Sequence, residues 1–446
     1  MNKKQIYKPR PISGFPEWLP QVRRVEQQWM DRIREMFESY GYCSIETPSV
    51  EALDVINAKG GDGGADVDKE VYVIERLHKE EGSKKEARLA LHFDQTVPLA
   101  RYVAQHFNEL TFPFKRYQMQ RVWRGERPQA GRFREFYQCD IDVINIDNLP
   151  LHFDAEMPAI IWEILSSLPG MENEKINLRI SNRKILIGLL DDLTIENKVD
   201  VTRWIDKLDK LDANLIKNEI RQLGVGDADI DKIMQLVSLK TRNPQEIIDH
   251  VAAISQSEAI SEGAKELAFV MENLAHLPDG AAVADLAIVR GLDYYTGTVY
   301  ETVFTDDPSY GSICSGGRYD DLAGNYINKH LPGVGISIGF SRLFDRLRIA
   351  NKLGADRVSP ADILVVMPSE ELRGLTAKTA QQLRARGLKV EQYHNPQKIG
   401  KQMGYAEKKG IPFVWFPPFD DDGAHEVKNM ATKEQEQADP DTWDTP

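Results

Sequence analysis

"FKRYQMQRVWRGERPQAGRFREFYQCDIDVI", residues 114–144, is the stretch on which the fold turns. Residues 114–124 and 134–143 alternate like the two arms of an antiparallel hairpin. Counting by twos puts Gln120 and Arg124 on one face of the first arm. Gln138, Asp140 and Asp142 share a face of the second. If the arms pair through the 125–133 loop, these polar groups gather on the same side of the sheet. A half-buried sheet gives one polar face to water, so the plain reading of that row is a solvated surface. Against it stand five arginines between Arg121 and Arg134, with Gly125 and Gly131 among them. The planar arginine fork grips phosphate with two parallel hydrogen bonds, which a lysine's point charge does not. The cluster reads as a cradle for an anion.

The rest of the chain bounds what that cradle serves. Its 446 residues exceed one core and suggest two or three domains. Composition is that of a soluble globular protein, 41% hydrophobic and 28% charged, and no apolar stretch nears membrane-spanning length. The basic N-terminus "MNKKQIYKPRPISGF" lacks the apolar segment of a secretory signal. Cys43, Cys139 and Cys314 are isolated, which predicts neither a disulfide framework nor a zinc site. A cytoplasmic protein is expected. The net charge of −13 argues against a general polyanion binder but leaves room for a local basic patch.

Val22, Val25, Trp29, Ile33 and Phe37 fall on one helical stripe, with Gly41 at a C-cap position. "YCSIETP" reads as a strand stopped by Pro48, and "GGDGGAD" (60–66) as a loop without the flanks of a phosphate site. "KEVYVIE" and "RLALHFD" read as paired strands, and "TVPLARYVAQHF" as a helix with Pro98 in its first turn. From 195 to 280 the pattern is charged and helix-periodic. Strand-like sequence resumes at "AAVADLAIVRGLDYYTGTVYETVF" and "SICSGGRYDDLA", and "GVGISIGFSRLFDRLRIA" is a small-residue strand running into a helix. After the linker "NKLGADRVSP", "DILVVMP", "LKVEQY" and "IPFVWF" alternate with two helices. The polar, acidic stretch from Ala431 is expected to be disordered past Glu436. The fold class is therefore an α+β domain built on a mainly antiparallel sheet with flanking helices and a helical insertion. A C-terminal α/β (β-α-β-α-β) domain follows it.

Two further stretches suit anions. Arg342 falls in the first turn of a helix entered through Gly339, where backbone N–H groups favour negative charge. In "RGLDYYTGTVYE", Arg290, Asp293, Tyr294 and Tyr295 crowd together beside two glycines. Adjacent tyrosines on a strand face opposite ways, so one of them is exposed or lines a cavity. A surface arginine, and a buried ion pair with packed tyrosines, are the plainer readings of the two.

Together these stretches carry a resemblance. Residues 114–142 resemble the second signature motif of class II aminoacyl-tRNA synthetases in its histidyl version. "RGLDYYTGTVYE" resembles a histidyl-tRNA synthetase signature, and "GVGISIGFSRLFDRL" the third class II motif. "YGYCSIETP" is similar to the first motif, which in that class forms the dimer interface. "FDQTVPLARYVA" and "GGRYDDL" match histidyl segments, and the order holds along nearly the whole chain. The resemblance implies a catalytic core in two parts, 1–194 and 281–350, interrupted by the helical insertion 195–280. It also implies an anticodon-binding domain at 361–430, ahead of the acidic tail 431–446. Its activity would be ATP-dependent ligation of L-histidine to its tRNA through histidyl-adenylate, by a homodimer. The cofactor entailed is ATP with Mg2+ as a substrate complex, with no tightly bound protein cofactor.

Carried over by position, the resemblance gives Arg124 contacts with the ATP α-phosphate and the amino-acid carboxylate. Arg342 lies on the γ-phosphate side, and Glu126, Arg132 and Phe133 surround the nucleotide. On sequence alone, pairing with a neighbouring arginine is the simpler role for Glu126. Arg290 sits near the reacting carboxylate and α-phosphate. Asp94, Thr96 and Gln138 hold the α-amino group, Asp142 and Tyr295 read the imidazole nitrogens, and Tyr294 and Tyr319 close the pocket. A neutral imidazole has one donor and one acceptor nitrogen, which a carboxylate and a phenol satisfy. Gln138 and Asp142, four apart on a strand, point the same way, so strand parity agrees independently.

His92 stands where the family usually has arginine, and Gln95 where leucine or glycine is more common. The competing reading is a histidyl-synthetase paralogue that regulates ATP phosphoribosyltransferase. Such paralogues usually lack the C-terminal domain and erode the catalytic arginines, whereas Arg124, Arg290 and Arg342 are all present. A ligase for another small carboxylate is a further alternative, against which Asp142 with Tyr295 argues. Lys398, Lys401 and Lys408 are candidates for a tRNA patch, with a solvated helix face as the plain alternative.

Overall fold

The computed structural model describes residues 7–57, 70–75, 88–289, 295–321, 323–420 and 423–445, so the glycine run at 60–66 lies outside it. The chain divides into two units, Met1–Pro16 with Trp29–Ala350, and Glu17–Gln28 with Asn351–Pro446. Helix α1 (Pro20–Ser39) carries the apolar stripe, with Trp29, Ile33 and Phe37 wholly buried. Gly41 follows it at φ +79°, a conformation that costs a glycine little. Strands β1 (Cys43–Ser44) and β2 (Val50–Ala52), helix α2 (Leu53–Asn57), and strands β3 (Val73–Ile74) and β4 (Leu89–Leu91) come next. β2, β4 and β3 form a small antiparallel sheet. Helix α3 (Thr96–Gln105) has Pro98 in its first turn, where a missing N–H breaks no helical bond.

The 114–144 stretch folds as strands β5 (Phe114–Trp123) and β6 (Glu135–Ile144), paired antiparallel. Gln120 lies opposite Gln138, Gln118 opposite Asp140, and Arg116 opposite Asp142. The polar row is not a solvated surface: Gln138, Asp140 and Asp142 are all buried. The alternate residues Cys139, Ile141 and Val143 are wholly buried on the opposite face. Helix α4 (His152–Ser167), strand β7 (Ile176–Asn182) and helix α5 (Arg183–Asp192) lead to the helix-periodic region. There lie α6 (Lys198–Ile205), α7 (Ala213–Gln222), α8 (Asp227–Val237), the short strand β8 (Lys240–Thr241), α9 (Pro244–Ile254) and α10 (Glu258–Asn273). Asp212 caps α7 by accepting from the N–H groups of Asn214 and Leu215, and Asn243 caps α9 ahead of Pro244.

Strands β9 (Ala282–Asp285), β10 (Thr298–Phe304), β11 (Cys314–Tyr319) and β12 (Gly333–Ile338) complete a nine-stranded sheet, and α11 (Phe340–Ile349) follows. The strand order is β1-β5-β6-β12-β11-β10-β7-β9-β8. Among the described residues only β1/β5 and β7/β9 of this sheet pair in parallel, so it is mainly antiparallel. Helix α11 packs on β6 and α4 on β12. Trp29 meets Phe340 and Phe344 edge-on, ring centroids 6.1 and 5.3 Å away, the geometry favoured by the aromatic quadrupole.

The second unit holds β13 (Ile363–Val365), α12 (Arg373–Ala385), β14 (Val390–Gln392), α13 (Ile399–Lys409) and β15 (Phe413–Phe416). The order β14-β13-β15 is parallel. Two antiparallel strands follow that periodicity did not reveal, β16 (Glu426–Asn429) and β17 (Gln435–Gln437). The expected disorder past Glu436 is therefore corrected. Trp443 packs edge-on against Phe413 and Trp415 at 5.2 and 5.5 Å, and Arg386 donates to the carbonyls of Pro440 and Trp443. One aromatic anchor and a strand pairing outweigh the acidic composition. Trp443→Ala should cost the second unit about 2 kcal/mol and open residues 431–445 to proteolysis. A variant with unchanged urea unfolding and protease resistance would show that the anchor contributes nothing.

Candidate active site

Two adjoining cavities, of about 390 and 310 Å³, lie over the buried polar face of the hairpin. They share Arg124, Gln138, Ser315 and Ser337. Asp94, Thr96, Asp140, Asp142, Tyr295 and Tyr319 help line the larger. Glu126, Arg132, Phe133, Phe136 and Arg342 help line the smaller. The shared wall means that a ligand in each would meet at Arg124.

Arg124 leaves the end of β5 and is held from several sides. Its Nε donates to the Phe93 carbonyl at 3.0 Å, and its guanidinium carbon lies 5.1 Å from the Phe136 ring centroid. Nη2 is 3.5 Å from Gln138 Oε1, and Nη1 is 3.9 Å from Glu126 Oε1. A guanidinium fixed before ligand binding loses little freedom when it meets an anion.

At the far end of the larger cavity, Arg116 lies 2.6 Å from Asp142 Oδ2, and the Tyr319 hydroxyl donates to Oδ1 at 3.0 Å. Arg116 is 1% exposed. The pair holds the carboxylate in one orientation facing the cavity that Tyr295 also lines. The small residues of β12 make room for it. A Cβ on Gly335 would sit 2.0 Å from Asp142 Oδ1, and one on Gly333 would strike the Tyr319 ring.

Between these ends, Gln138 Nε2 donates to Ser337 Oγ at 2.6 Å. Asp94 accepts from the Val97 N–H at 3.1 Å and so secures the first turn of α3, whose first residue is Thr96. Burial pushes the Asp140 carboxyl up to about 7, against the downward pull of Arg116 and a Ser337 hydrogen bond. On the nucleotide side, Arg132 Nη1 is 3.5 Å from Glu126 Oε2, so the arginine pairing of Glu126 is present. Arg342 is oriented by the Tyr310 carbonyl, with its guanidinium carbon 4.9 Å from that ring's centroid.

The structure thus brings together Asp94, Thr96, Arg124, Gln138, Asp142, Tyr295 and Tyr319 in one cavity, and Arg124, Glu126, Arg132, Phe133 and Arg342 in the next. Arg290 and Tyr294 lie outside the described residues. His92 and Gln95 line neither cavity. Burial lowers the His92 pKa, and the neutral ring's Nε2–H meets the Arg121 carbonyl at 2.7 Å. Gln95 Nε2 donates to the carbonyls of Gln120 and Gln138, both at 3.1 Å, tying the start of α3 to the hairpin. The sequence reading did not assign Phe136, Ser315, Ser337 or Arg116 to the site. Strand parity does place Arg116 opposite Asp142 once the hairpin register is counted.

Among the described residues no helix is long and apolar enough to cross a membrane. The family model described as histidyl-tRNA synthetase matches residues 14–343, and that of the anticodon binding domain matches 362–442. A curated histidine–tRNA ligase of Thermobifida fusca is 52% identical, the alignment covering 99% of this chain and all of the relative. The crystal structure of histidyl-tRNA synthetase from Nostoc sp. PCC 7120 superposes with a TM-score of 0.87 at 39% identity, covering 97% of each chain. An ATP phosphoribosyltransferase regulatory subunit/histidyl-tRNA synthetase structure from Bacillus halodurans shares the fold, with a TM-score of 0.71 at 21% identity over 90% of this chain and 97% of that one. With the first motif, the hairpin and the small-residue strand in order, and full-length relatives on this scale, the chain belongs to the histidyl-tRNA synthetase family.

Proposed function

We infer that the protein is an aminoacyl-tRNA ligase that joins L-histidine to its tRNA, spending ATP and releasing AMP and pyrophosphate. The observation that carries this reading is the pair of cavities meeting at Arg124, one ending in the Arg116–Asp142–Tyr319 cluster and the other lined by Arg132 and Arg342. Histidine occupies the larger cavity, its ring between Asp142 and Tyr295 and its amino group near Asp94, Thr96 and Gln138. ATP, entering as its magnesium complex, occupies the smaller. Glu126, Arg132 and Phe133 surround the nucleotide, and Arg342 takes its outer phosphates.

The histidine carboxylate oxygen attacks the α-phosphorus in line, and the bond to the bridging oxygen breaks with its electrons leaving on pyrophosphate. Arg124, with Arg290 in the role the family resemblance gives it, neutralises charge on the carboxylate and α-phosphate. The terminal hydroxyl of tRNA then attacks the carbonyl of histidyl-adenylate and expels AMP. No side chain becomes covalently attached, so the protein's contribution is position and charge. Arg124 remains in the wall, and the 362–442 match supports assigning the C-terminal unit to the tRNA anticodon. Lys398, Lys401 and Lys408 are exposed at and along α13, where a tRNA backbone would find them.

We further propose a homodimer, because "YGYCSIETP" resembles the family's interface motif and its strand β1 forms one edge of the sheet. A cytoplasmic location follows from the reaction, which needs tRNA and ATP together. The regulatory reading is disfavoured by the C-terminal domain match and by Arg124 and Arg342 standing in one cavity. The direct test is charging: with ATP and tRNA, labelled histidine becomes acid-precipitable and ribonuclease-sensitive. No charging of any histidine-accepting tRNA would overturn the reading.

A further inference from the structure

Tyr310 lines neither cavity, yet it abuts two of the segments that bring arginines to the smaller one. It ends a single 3₁₀ turn (Pro308–Tyr310) in the connection from β10 to β11. Its backbone carbonyl accepts from Arg342 Nη2, and its hydroxyl donates to the Arg342 carbonyl at 2.7 Å. Its ring centroid lies 4.9 Å from the Arg342 guanidinium carbon. One residue thus meets Arg342 through three different groups. On the hairpin side, Gly131 adopts φ +68°, and a Cβ there would sit 2.3 Å from the same hydroxyl. The loop tip therefore rests against Tyr310 just ahead of Arg132 and Phe133.

The turn is itself anchored. The Tyr310 N–H donates to the Asp307 carbonyl at 3.1 Å, and the Asp307 carboxylate pairs at 2.6 Å with Arg346, one helical turn beyond Arg342. The Arg346 guanidinium carbon lies 4.0 Å from the Phe304 ring centroid and 5.0 Å from that of Tyr310. Phe304 meets Tyr310 edge-on, with ring centroids 6.1 Å apart. The ring is therefore fixed from behind, and Arg342 lies against a wall that does not yield. Attraction between a guanidinium and an aromatic face strengthens as water is excluded. An arginine side chain has many rotamers, and one held before an anion arrives has less freedom to lose on binding it.

We propose that Tyr310 is a positioning residue that sets the protein's grip on the outer phosphates of ATP by holding Arg342 at the wall of the smaller cavity. This rests on that cavity being the ATP site, with Arg342 toward the outer phosphates. Tyr310 stands behind the wall and acts through Arg342. Its effect falls on ATP, and not on AMP, which has no outer phosphates, or on histidine in the other cavity. Phenylalanine at 310 keeps the ring and the carbonyl, whereas leucine keeps the carbonyl alone.

The test is titration calorimetry of magnesium–ATP, AMP and histidine, each separately, on the full chain and its variants. Tyr310→Leu should bind ATP about 10-fold more weakly, the combined worth of a cation–ring contact and a hydroxyl hydrogen bond. Its affinities for AMP and for histidine should stay within about twofold of the parent, since neither ligand draws on those two contacts. Tyr310→Phe should recover most of the loss and remain about threefold short of the parent. Arg342→Ala should weaken ATP by itself, and adding Tyr310→Leu to it should weaken ATP no further, because residues acting as one unit are not additive. Equal losses for ATP and AMP, a loss that extends to histidine, or additive losses in the double variant would overturn the inference while leaving the ATP site standing. Unchanged ATP binding by Arg342→Ala would sink the assignment of the outer phosphates and the inference with it.

Discussion

Arg124→Ala should lower histidine-dependent ATP–pyrophosphate exchange by about 10²–10³-fold in kcat, the usual cost of one preorganised donor to a developing charge. The expectation comes from where the side chain stands. It belongs to both cavities, and its Nε bond to the Phe93 carbonyl and the Phe136 ring hold it there before substrate arrives. Arg124→Lys should recover little, because an ammonium cannot present two parallel donors or lie flat on the ring. Exchange within threefold of the parent in either variant would remove Arg124 from the reaction.

Asp142→Asn should do two separable things. Arg116 would lose its 2.6 Å partner while remaining 1% exposed, and unpairing a buried charge costs about 3–5 kcal/mol. The low end of that range is expected here, since Asp140 lies close enough to give up its proton and take over as counter-ion. Urea unfolding measures this. Independently, the imidazole loses its charged acceptor, so kcat/KM for histidine should fall by about 10²-fold, corresponding to about 3 kcal/mol. The KM for ATP should stay nearly constant. A variant as stable as the parent, with an unchanged preference for histidine, would contradict both roles.

Much of this site was legible because a strand has a strict period of two. Once 114–144 read as a hairpin, Gln138, Asp140 and Asp142 had to share a face, and the register put Arg116, Gln118 and Gln120 opposite them. Motif resemblance supplied the chemistry of Asp94, Tyr319 and Arg342, which lie far apart in sequence. What no local pattern states is which strands become neighbours. β12 pairs with β6 across nearly 200 residues, so Ser337 as a partner of Gln138 was hidden, and so was the need for glycine at 335 beside Asp142. The tail misled for the opposite reason. Its polarity spoke for disorder, while a strand pairing, Trp443 and the Arg386 hydrogen bonds gave it a place on the sheet. Asp140 was seen on the right face but given no role, because its raised pKa comes chiefly from burial that only the assembled sheet provides.

The most direct measurement is exchange of labelled pyrophosphate into ATP by the purified chain, with each of the twenty amino acids supplied in turn. Label should enter ATP with histidine and with none of the others above the rate without amino acid. Exchange supported equally by another amino acid, or no exchange with histidine, would contradict the account.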